Sequence, residues 1–156
     1  MGEQVGERVP SDTVGGMTTT STDEQDLDPL TPFRDSVLTN IVALLDSATE
    51  HVSYPVTLVV GGAVVSGYVI SAADYAEQLS ESSGFETFLK PFTDDMSSRR
   101  GADLTDDTID LTKFIHLKDA FIVVGSGPIK VGLWRGNLAQ IDGWSVGILA
   151  IGSGAE

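Results

Sequence analysis

The sequence predicts an α+β fold in which an N-terminal helix precedes a small, strongly bent, barrel-like sheet with a helical, acidic insertion. Apolar residues recur at spacings of three and four over residues 32–50, which is the period of an amphipathic helix. From residue 56 onwards, short β-branched runs alternate with glycine-containing turns, which is typical of a small barrel. A third observation, the acidic and polar run at about 92–110, predicts an insertion that interrupts the strands.

Residues 1–28 are predicted to form a disordered acidic tail. They hold seven acids and one base and are rich in Gly, Ser and Thr, without apolar periodicity. Such a segment cannot bury enough apolar surface to offset the loss of chain entropy. A chain of 156 residues is sufficient for one core of ordinary size. We therefore expect residues 29–152 to form a single β-rich domain.

The first helix is expected at residues 32–50. Thr31 is a suitable N-cap and Pro32 suits the first helical position. Tyr54 and Pro55 are expected to end the helix. The apolar stripe expected to face the core consists of Phe33, Val37, Ile41, Leu44, Leu45 and Ala48.

A hairpin is predicted next. Residues 56–60 and 63–70 are β-branched runs, and Gly61-Gly62 between them is a two-residue hairpin signal. Gly67 inside the second strand indicates a bulge or bend, as needed where a small sheet curls.

One helix or two short ones are predicted over residues 72–90, with Ser71 as the cap and Asp74 three residues later. Pro91 is expected to stop this helix. The following residues, about 92–110, are polar and acidic, and we interpret them as a flexible insertion.

The last part of the chain is predicted to be a series of short strands. Residues 114–124 form one long strand or two, with a break near Lys118-Asp119. The turn at residues 125–128 and the Asp142-Gly143 turn separate the strands that follow. Those strands are expected at 129–134, 138–141 and 144–151. One helix before such a barrel resembles the Sm-like or SH3-like architecture, an analogy that implies no function by itself.

Composition excludes several classes of function. The formal net charge of −14, from 23 acids and 9 bases, disfavours general binding to nucleic acids and to anionic membranes. No apolar stretch reaches the roughly 20 residues of a membrane span, and no secretory signal is visible. Cysteine is absent, which excludes disulfides and thiolate ligands and suits a reducing compartment. We therefore expect a cytoplasmic protein.

No catalytic constellation is visible, and we expect no enzyme, metal or cofactor. His51 and His116 are the only histidines; we place His51 at a helix C-terminus and His116 on the polar face of a strand. Two histidines in separate elements, without cysteine, make a poor zinc site. The acids around Asp106, Asp107 and Asp110 lack the spacing of a calcium loop.

The near-neutral last quarter of the chain contains the candidate protein-binding residues. Residues 111–156 hold three acids and four bases. Both tryptophans of the chain, Trp134 and Trp144, lie here, and Arg135 follows Trp134 directly. Either both tryptophans fill the barrel, or one joins Arg135 in an exposed anchor, because Trp and Arg dominate binding hot spots. The sequence leaves both readings open.

Three motifs occur in a characteristic order and cover roughly residues 54–150. They are residues 62–67 (GAVVSG) with 70–72 (ISA) and Tyr75, residues 114–118 (FIHLK), and residues 134–136 (WRG) with 141–143 (IDG) and Gly147. Together they resemble the GvpU family of gas vesicle accessory proteins. The long acidic tail and the absence of cysteine depart from that family's pattern.

The resemblance implies a gas vesicle-associated accessory protein that self-associates and promotes or regulates clustering of gas vesicles. It implies contacts with the vesicle shell or with other gas vesicle proteins, and no catalytic residue. With Asp142 of the third motif, the candidate protein-binding residues are Trp134, Arg135, Asp142 and Trp144. An open edge strand would make a homo-oligomer possible. The alternatives are an Sm-like RNA-binding module, which the acidic composition disfavours, and an enzyme of unknown type.

Overall fold

A computed structural model describes residues 33–84, 86–125 and 127–150, together with Gly2. The predicted tail at residues 1–28 lies outside the described residues apart from Gly2. The elements, in chain order, are α1 (Ser36–Ser47), β1 (Tyr54–Val60), β2 (Ala63–Ile70), α2 (Ala72–Ser83), α3 (Glu86–Ser97), α4 (Asp106–Leu111), β3 (Phe114–Val124), β4 (Gly127–Asn137), a 3-10 helix (Leu138–Gln140) and β5 (Gly143–Val146).

The five strands form one antiparallel sheet in the order β4-β3-β2-β1-β5. The α+β class is therefore confirmed. The sheet is open, with β4 at one edge and β5 at the other, so barrel closure and the Sm-like or SH3-like architecture are not confirmed.

The chain leaves the sheet after β5 rather than extending towards β4. Gly147 has a positive φ of 107°, and its N–H donates to the Pro55 carbonyl at 2.9 Å. The Leu149 N–H then donates to Ser66 Oγ at 2.9 Å, so this segment crosses one face of the sheet. The strand predicted at 144–151 is accordingly only four residues long, and among the described residues it pairs with β1 alone.

Helix α1 begins later than predicted. Asp35 is the N-cap, and its side chain accepts from the Leu38 N–H at 2.8 Å, so the predicted start at residue 32 is wrong. Thr31 and Pro32 lie outside the described residues. The helix ends at Ser47, before the predicted residue 50.

The side of α1 that faces the core also differs from the prediction. Leu38, Val42 and Leu45 are buried against the sheet, whereas Phe33, Val37 and Leu44 are exposed. Leu45 and the partly buried Ile41 pack on the core as predicted. The helix is therefore rotated only in part relative to the predicted stripe. The sheet contributes Val56, Leu58, Val65, Val69, Ile115, Leu117 and Ala120 to this core.

The hairpin of β1 and β2 is confirmed, with Gly61 and Gly62 as its turn. Gly67 lies at a register irregularity between β2 and β3, as predicted. A Cβ atom on Gly67 would lie 3.0 Å from the backbone of Ala120, which explains why glycine is needed there. β3 is a single strand, and its predicted break appears as a bulge where Asp119 has a φ of 49°.

Two helices follow β2. Ser71 caps α2 by accepting from the Asp74 N–H at 3.0 Å, as predicted, and Gly84 ends it in a left-handed conformation. Pro91 does not stop α3, because it lies inside this helix. The carbonyl that loses its bond to Pro91 belongs to Thr87, which is exposed and therefore accessible to water. The mobility of residues 92–110 stays a prediction.

The segment predicted as a strand at 138–141 is instead a 3-10 helix. The Asn137 side chain caps it by accepting from the Ala139 N–H at 2.9 Å. The strand before it, β4, is longer than the predicted 129–134 because it pairs with β3 over its whole length. The pairing ends where Asn137 turns the chain towards β5.

Candidate interaction surface and the cavity beside His116

The two tryptophans lie at opposite edges of the sheet and both face the core. Trp134 is opposite Leu117 and Trp144 is opposite Leu58, and paired residues project to the same face. Both indoles are partly buried and pack against the core. Four strand spacings separate β4 from β5, about 19 Å along the sheet. The structure therefore does not bring the tryptophans together into one exposed patch.

Gly136 explains the spacing of the Trp134-Arg135-Gly136 motif. A Cβ atom on Gly136 would collide with the six-membered ring of the Trp134 indole. The indole therefore lies across this glycine, and any larger residue would displace it from the core.

Arg135 projects to the face opposite Trp134. Its guanidinium lies 3.8 Å from the centre of the Phe114 ring and 5.9 Å from that of Phe92. This arrangement is a cation–π contact, which fixes the orientation of the guanidinium plane. Arg135 is exposed as a residue, and its stacking on Phe114 holds the guanidinium in place.

Asp142 makes a structural contact. Its side chain accepts from the Gly61 N–H at 2.8 Å, and its own N–H donates to the Val59 carbonyl at 2.8 Å. These bonds tie the chain before β5 to the turn of the first hairpin. The proposed role of Trp134, Arg135, Asp142 and Trp144 in protein binding stays a prediction.

Two exposed apolar surfaces were not identified from the sequence. The first, here called the β4 edge, contains Ile129 and Val131 with the neighbouring Val124. The second, here called the α1 surface, contains Phe33, Val37 and Leu44.

His116 lies on the face of the sheet opposite the main core, as its alternation with Ile115 and Leu117 predicts. It is buried rather than exposed, however, because α2 covers this end of the face. Tyr75 of α2 places its ring 4.7 Å from the imidazole. Neither ring nitrogen of His116 has a hydrogen-bond partner in the described part of the chain.

A cavity of about 270 Å³, here called the His116 cavity, opens beside this imidazole. Its titratable lining residues are Asp46, Arg99, Lys113, His116 and Arg135. Burial, together with the guanidinium groups of Arg135 and Arg99, lowers the pKa of His116 to about 3. The imidazole is therefore neutral at physiological pH.

Asp46 is the acid of the His116 cavity. Burial raises the pKa of its carboxyl to about 6, although the Ala72 N–H and Arg99 act in the opposite direction. Its Oδ1 accepts from the Ala72 N–H at 2.7 Å, which links the end of α1 to the start of α2. The sequence contains no motif for this cavity, since its lining residues are far apart along the chain.

A second cluster of charged side chains surrounds Asp74. His51 lies in the loop after α1, not at the helix C-terminus as predicted, and its Nδ1 is 2.7 Å from Asp74 Oδ1. Arg100 donates to the same oxygen at 2.7 Å. Burial raises the pKa of Asp74, but hydrogen bonds from Arg100, His51 and Ser71 outweigh it and keep this pKa below its ordinary value. Ligand atoms of His51, Asp74 and Glu77 lie within 4.8 Å of one another, yet the Arg100 cation would compete with a metal ion there.

Within the described ranges, no helix has the length and apolar character needed to cross a membrane. No curated protein and no solved structure gives a significant match to the chain. The family model for gas vesicle protein GvpU-like matches residues 35–149. This range includes every helix and strand described above. The chain therefore belongs to the GvpU-like family of gas vesicle proteins.

Proposed function

We propose that this protein is a non-enzymatic accessory protein that self-associates and thereby promotes clustering of gas vesicles in the cytoplasm. The observation that carries the proposal is the family match over residues 35–149. The proposed partners are the gas vesicle shell or other gas vesicle proteins, together with a second copy of this chain. No observation favours the RNA-binding alternative.

The β4 edge is the proposed surface of self-association. Among the described residues, β4 is paired only with β3, so its other side offers free backbone donors and acceptors. A second copy can add its own β4 to this side, because an open edge strand is a template for pairing. The exposed side chains of Ile129 and Val131 would then be covered.

The same edge contains features that keep this contact weak. Pro128 has no N–H to donate, Lys130 adds a charge, and Gly132 has a φ of 75° at an irregular position in the ladder. Such features limit edge-to-edge pairing in solution. On a vesicle that binds many copies, weak contacts add through effective concentration. Weak pairing at the β4 edge would therefore cluster vesicles that carry many copies of the protein, while the free protein associates little.

Ile129→Lys is expected to weaken clustering of purified gas vesicles at least about tenfold, because pairing at the β4 edge would bury an added charge. Leu44→Lys is the matched control, since it adds the same charge to the α1 surface. Clustering is measured by light scattering of vesicles with each full-length variant. The proposed surface is wrong if Leu44→Lys abolishes clustering and Ile129→Lys does not.

Arg135→Ala tests vesicle contact in the same preparations. Flotation of vesicles, followed by measurement of bound protein, separates loss of binding from loss of clustering. Less bound Arg135→Ala protein would support a contact at Arg135, and unchanged binding would exclude it. Trp134→Ala is less informative because the Trp134 indole packs on the core.

Clustering is also expected to increase with ionic strength. The formal net charge of −14 causes repulsion between copies, and salt screens this repulsion, with a Debye length of about 10 Å at 0.1 M. Turbidity of coated vesicles across a salt series measures the effect, with uncoated vesicles as the control. A flat or falling response would show that repulsion between copies does not limit clustering.

A further inference from the structure

We propose that the His116 cavity binds the phosphate group of a small molecule. The proposal does not rest on the vesicle function. It follows from an unpartnered buried imidazole, three cationic side chains and a single acid that together line one cavity.

The first argument is the buried imidazole. His116 is 3% exposed, and neither Nδ1 nor Nε2 has a partner in the described part of the chain. A buried polar group left without a hydrogen bond costs about 1–3 kcal/mol, and such groups are rare in native proteins. Tyr75 covers one side of the ring, and the His116 cavity lies on another. Both ring nitrogens are also inaccessible to water in this structure. A small movement of the ring or of its neighbours is therefore needed before a molecule in the cavity can supply the missing hydrogen bond.

The second argument is the charge around the cavity. Arg99, Lys113 and Arg135 are three of only nine basic residues in a chain of net charge −14. Within the described ranges, neither Lys113 nor Arg135 forms an ion pair with a carboxylate. Arg99 forms only an exposed contact of 3.4 Å with Asp95. Convergence of cations in such an acidic protein indicates that the cavity takes an anion.

The third argument selects phosphate among the anions. Arg135 is oriented by its stacking on Phe114, at 3.8 Å, and a fixed guanidinium suits the several oxygens of a phosphate. Asp46 is the one acid in the lining. Its carboxylate would repel an anion that carries no proton, whereas it can accept a hydrogen bond from a protonated phosphate oxygen. Sulfate and acetate lack that proton at neutral pH. Inorganic phosphate keeps one, and a phosphate monoester, whose second pKa is about 6, keeps one in part of its molecules.

The experiment uses full-length protein with ¹⁵N-labelled histidine and follows the ring nitrogens by NMR. The chain contains only His51 and His116, so His51, which is held by Asp74 outside the cavity, serves as an internal control. Inorganic phosphate is expected to shift the His116 signals saturably and to leave those of His51 unchanged. A shift of neither residue, or the same shift of both, would overturn the proposal.

Sulfate and acetate are titrated at matched ionic strength. Weaker binding of both supports a phosphate site, and equal binding of either would overturn the assignment, because it would show general attraction of anions. Glycerol 3-phosphate is titrated in parallel. Tighter binding than that of inorganic phosphate would support a phosphorylated metabolite as the occupant, and weaker binding would support free phosphate.

Lys113→Gln is expected to weaken phosphate binding about tenfold, since it removes one charged donor from the cavity. Lys130→Gln removes the same charge from β4 outside the cavity and is the matched control. Circular dichroism confirms that each variant is folded. Equal weakening by both substitutions would show that net charge alone governs binding, and it would overturn the proposal.

Discussion

Leu117→Ala is expected to lower the free energy of unfolding by about 2–5 kcal/mol. Leu117 is fully buried in β3, between Val69 of β2 and Trp134 of β4. Truncation removes buried apolar surface and leaves a cavity that the paired strands cannot easily fill. The expected loss is large relative to the 5–15 kcal/mol stability typical of native domains.

Leu44→Ala is the control for this substitution. Leu44 is 60% exposed on α1, so its truncation should change the free energy of unfolding by less than about 0.5 kcal/mol. Urea unfolding is followed by the fluorescence of the tryptophans, which include Trp134 opposite Leu117. Equal losses from the two substitutions would contradict the rotation of α1 described here.

The hairpin and the irregularities of the sheet could be predicted because local sequence determines them. Gly61-Gly62 supplies the positive φ values of a two-residue turn. Gly67 marks a close approach to Ala120 of β3, and Ser71 has the composition of an N-cap. The turn and the cap depend on a few neighbouring residues, and a glycine inside a strand itself indicates a bulge. The local sequence was therefore sufficient to predict all three features.

The buried side of α1 could not be predicted from periodicity. Val37 and Leu44 recur at helical spacing, as do Leu38 and Val42. Two apolar stripes therefore lie on one short helix, and only packing on the sheet decides which is buried. The predicted helix start at residue 32 is also too early, because Asp35 and not Thr31 is the N-cap.

The His116 cavity could not be predicted either, because no motif connects its residues. Asp46 lies in the last turn of α1, and Arg99 follows α3. His116 and Arg135 are directly opposite each other on β3 and β4. This pairing depends on the register of an eleven-residue strand pair with a bulge. The alternation of His116 with Ile115 and Leu117 correctly predicted the face of the sheet on which His116 lies. It did not predict that α2 covers His116 there.

Barrel closure is not confirmed, because closure depends on which strands meet and not on local sequence. Frequent glycine turns indicate short strands, but they do not say whether the first and last strands meet. In this structure β5 pairs with β1 and then leaves the sheet at Gly147. Because β5 pairs with β1 alone among the described residues, the outer side of β4 has no partner strand there. The proposed self-association depends on this open edge.

Asp46→Asn is expected to change the free energy of unfolding more favourably at about pH 8 than at about pH 4, by about 2–3 kcal/mol. Burial raises the pKa of Asp46 from 3.8 to about 6, so the folded state favours the protonated form. The stability that this preference provides is fully present below pH 3.8 and is lost as the pH rises through about 6. Asparagine does not titrate, and its carbonyl oxygen can still accept from the Ala72 N–H.

The measurement is the difference in free energy of urea unfolding between Asp46→Asn and the wild type at several pH values. The other acids titrate in both proteins, so their contributions to the free energy of unfolding largely cancel in this difference. A difference that does not change between about pH 4 and pH 8 would contradict the raised pKa of Asp46. Phosphate is left out of the buffers, so that occupation of the His116 cavity does not contribute.

Asp74→Asn, in the first turn of α2, is a control in which stability should depend on pH in the opposite direction. The pKa of Asp74 is lowered, so the stability that its charged form provides is present above pH 3.8 and is lost as the pH falls through its folded-state pKa. Asp74→Asn should therefore destabilise the protein most at high pH, where Arg100 loses a charged partner. Asp46 contacts the start of α2, and Asp74 lies in its first turn. Opposite pH trends for these two aspartates would show that local environment, not the net charge of the chain, determines each effect.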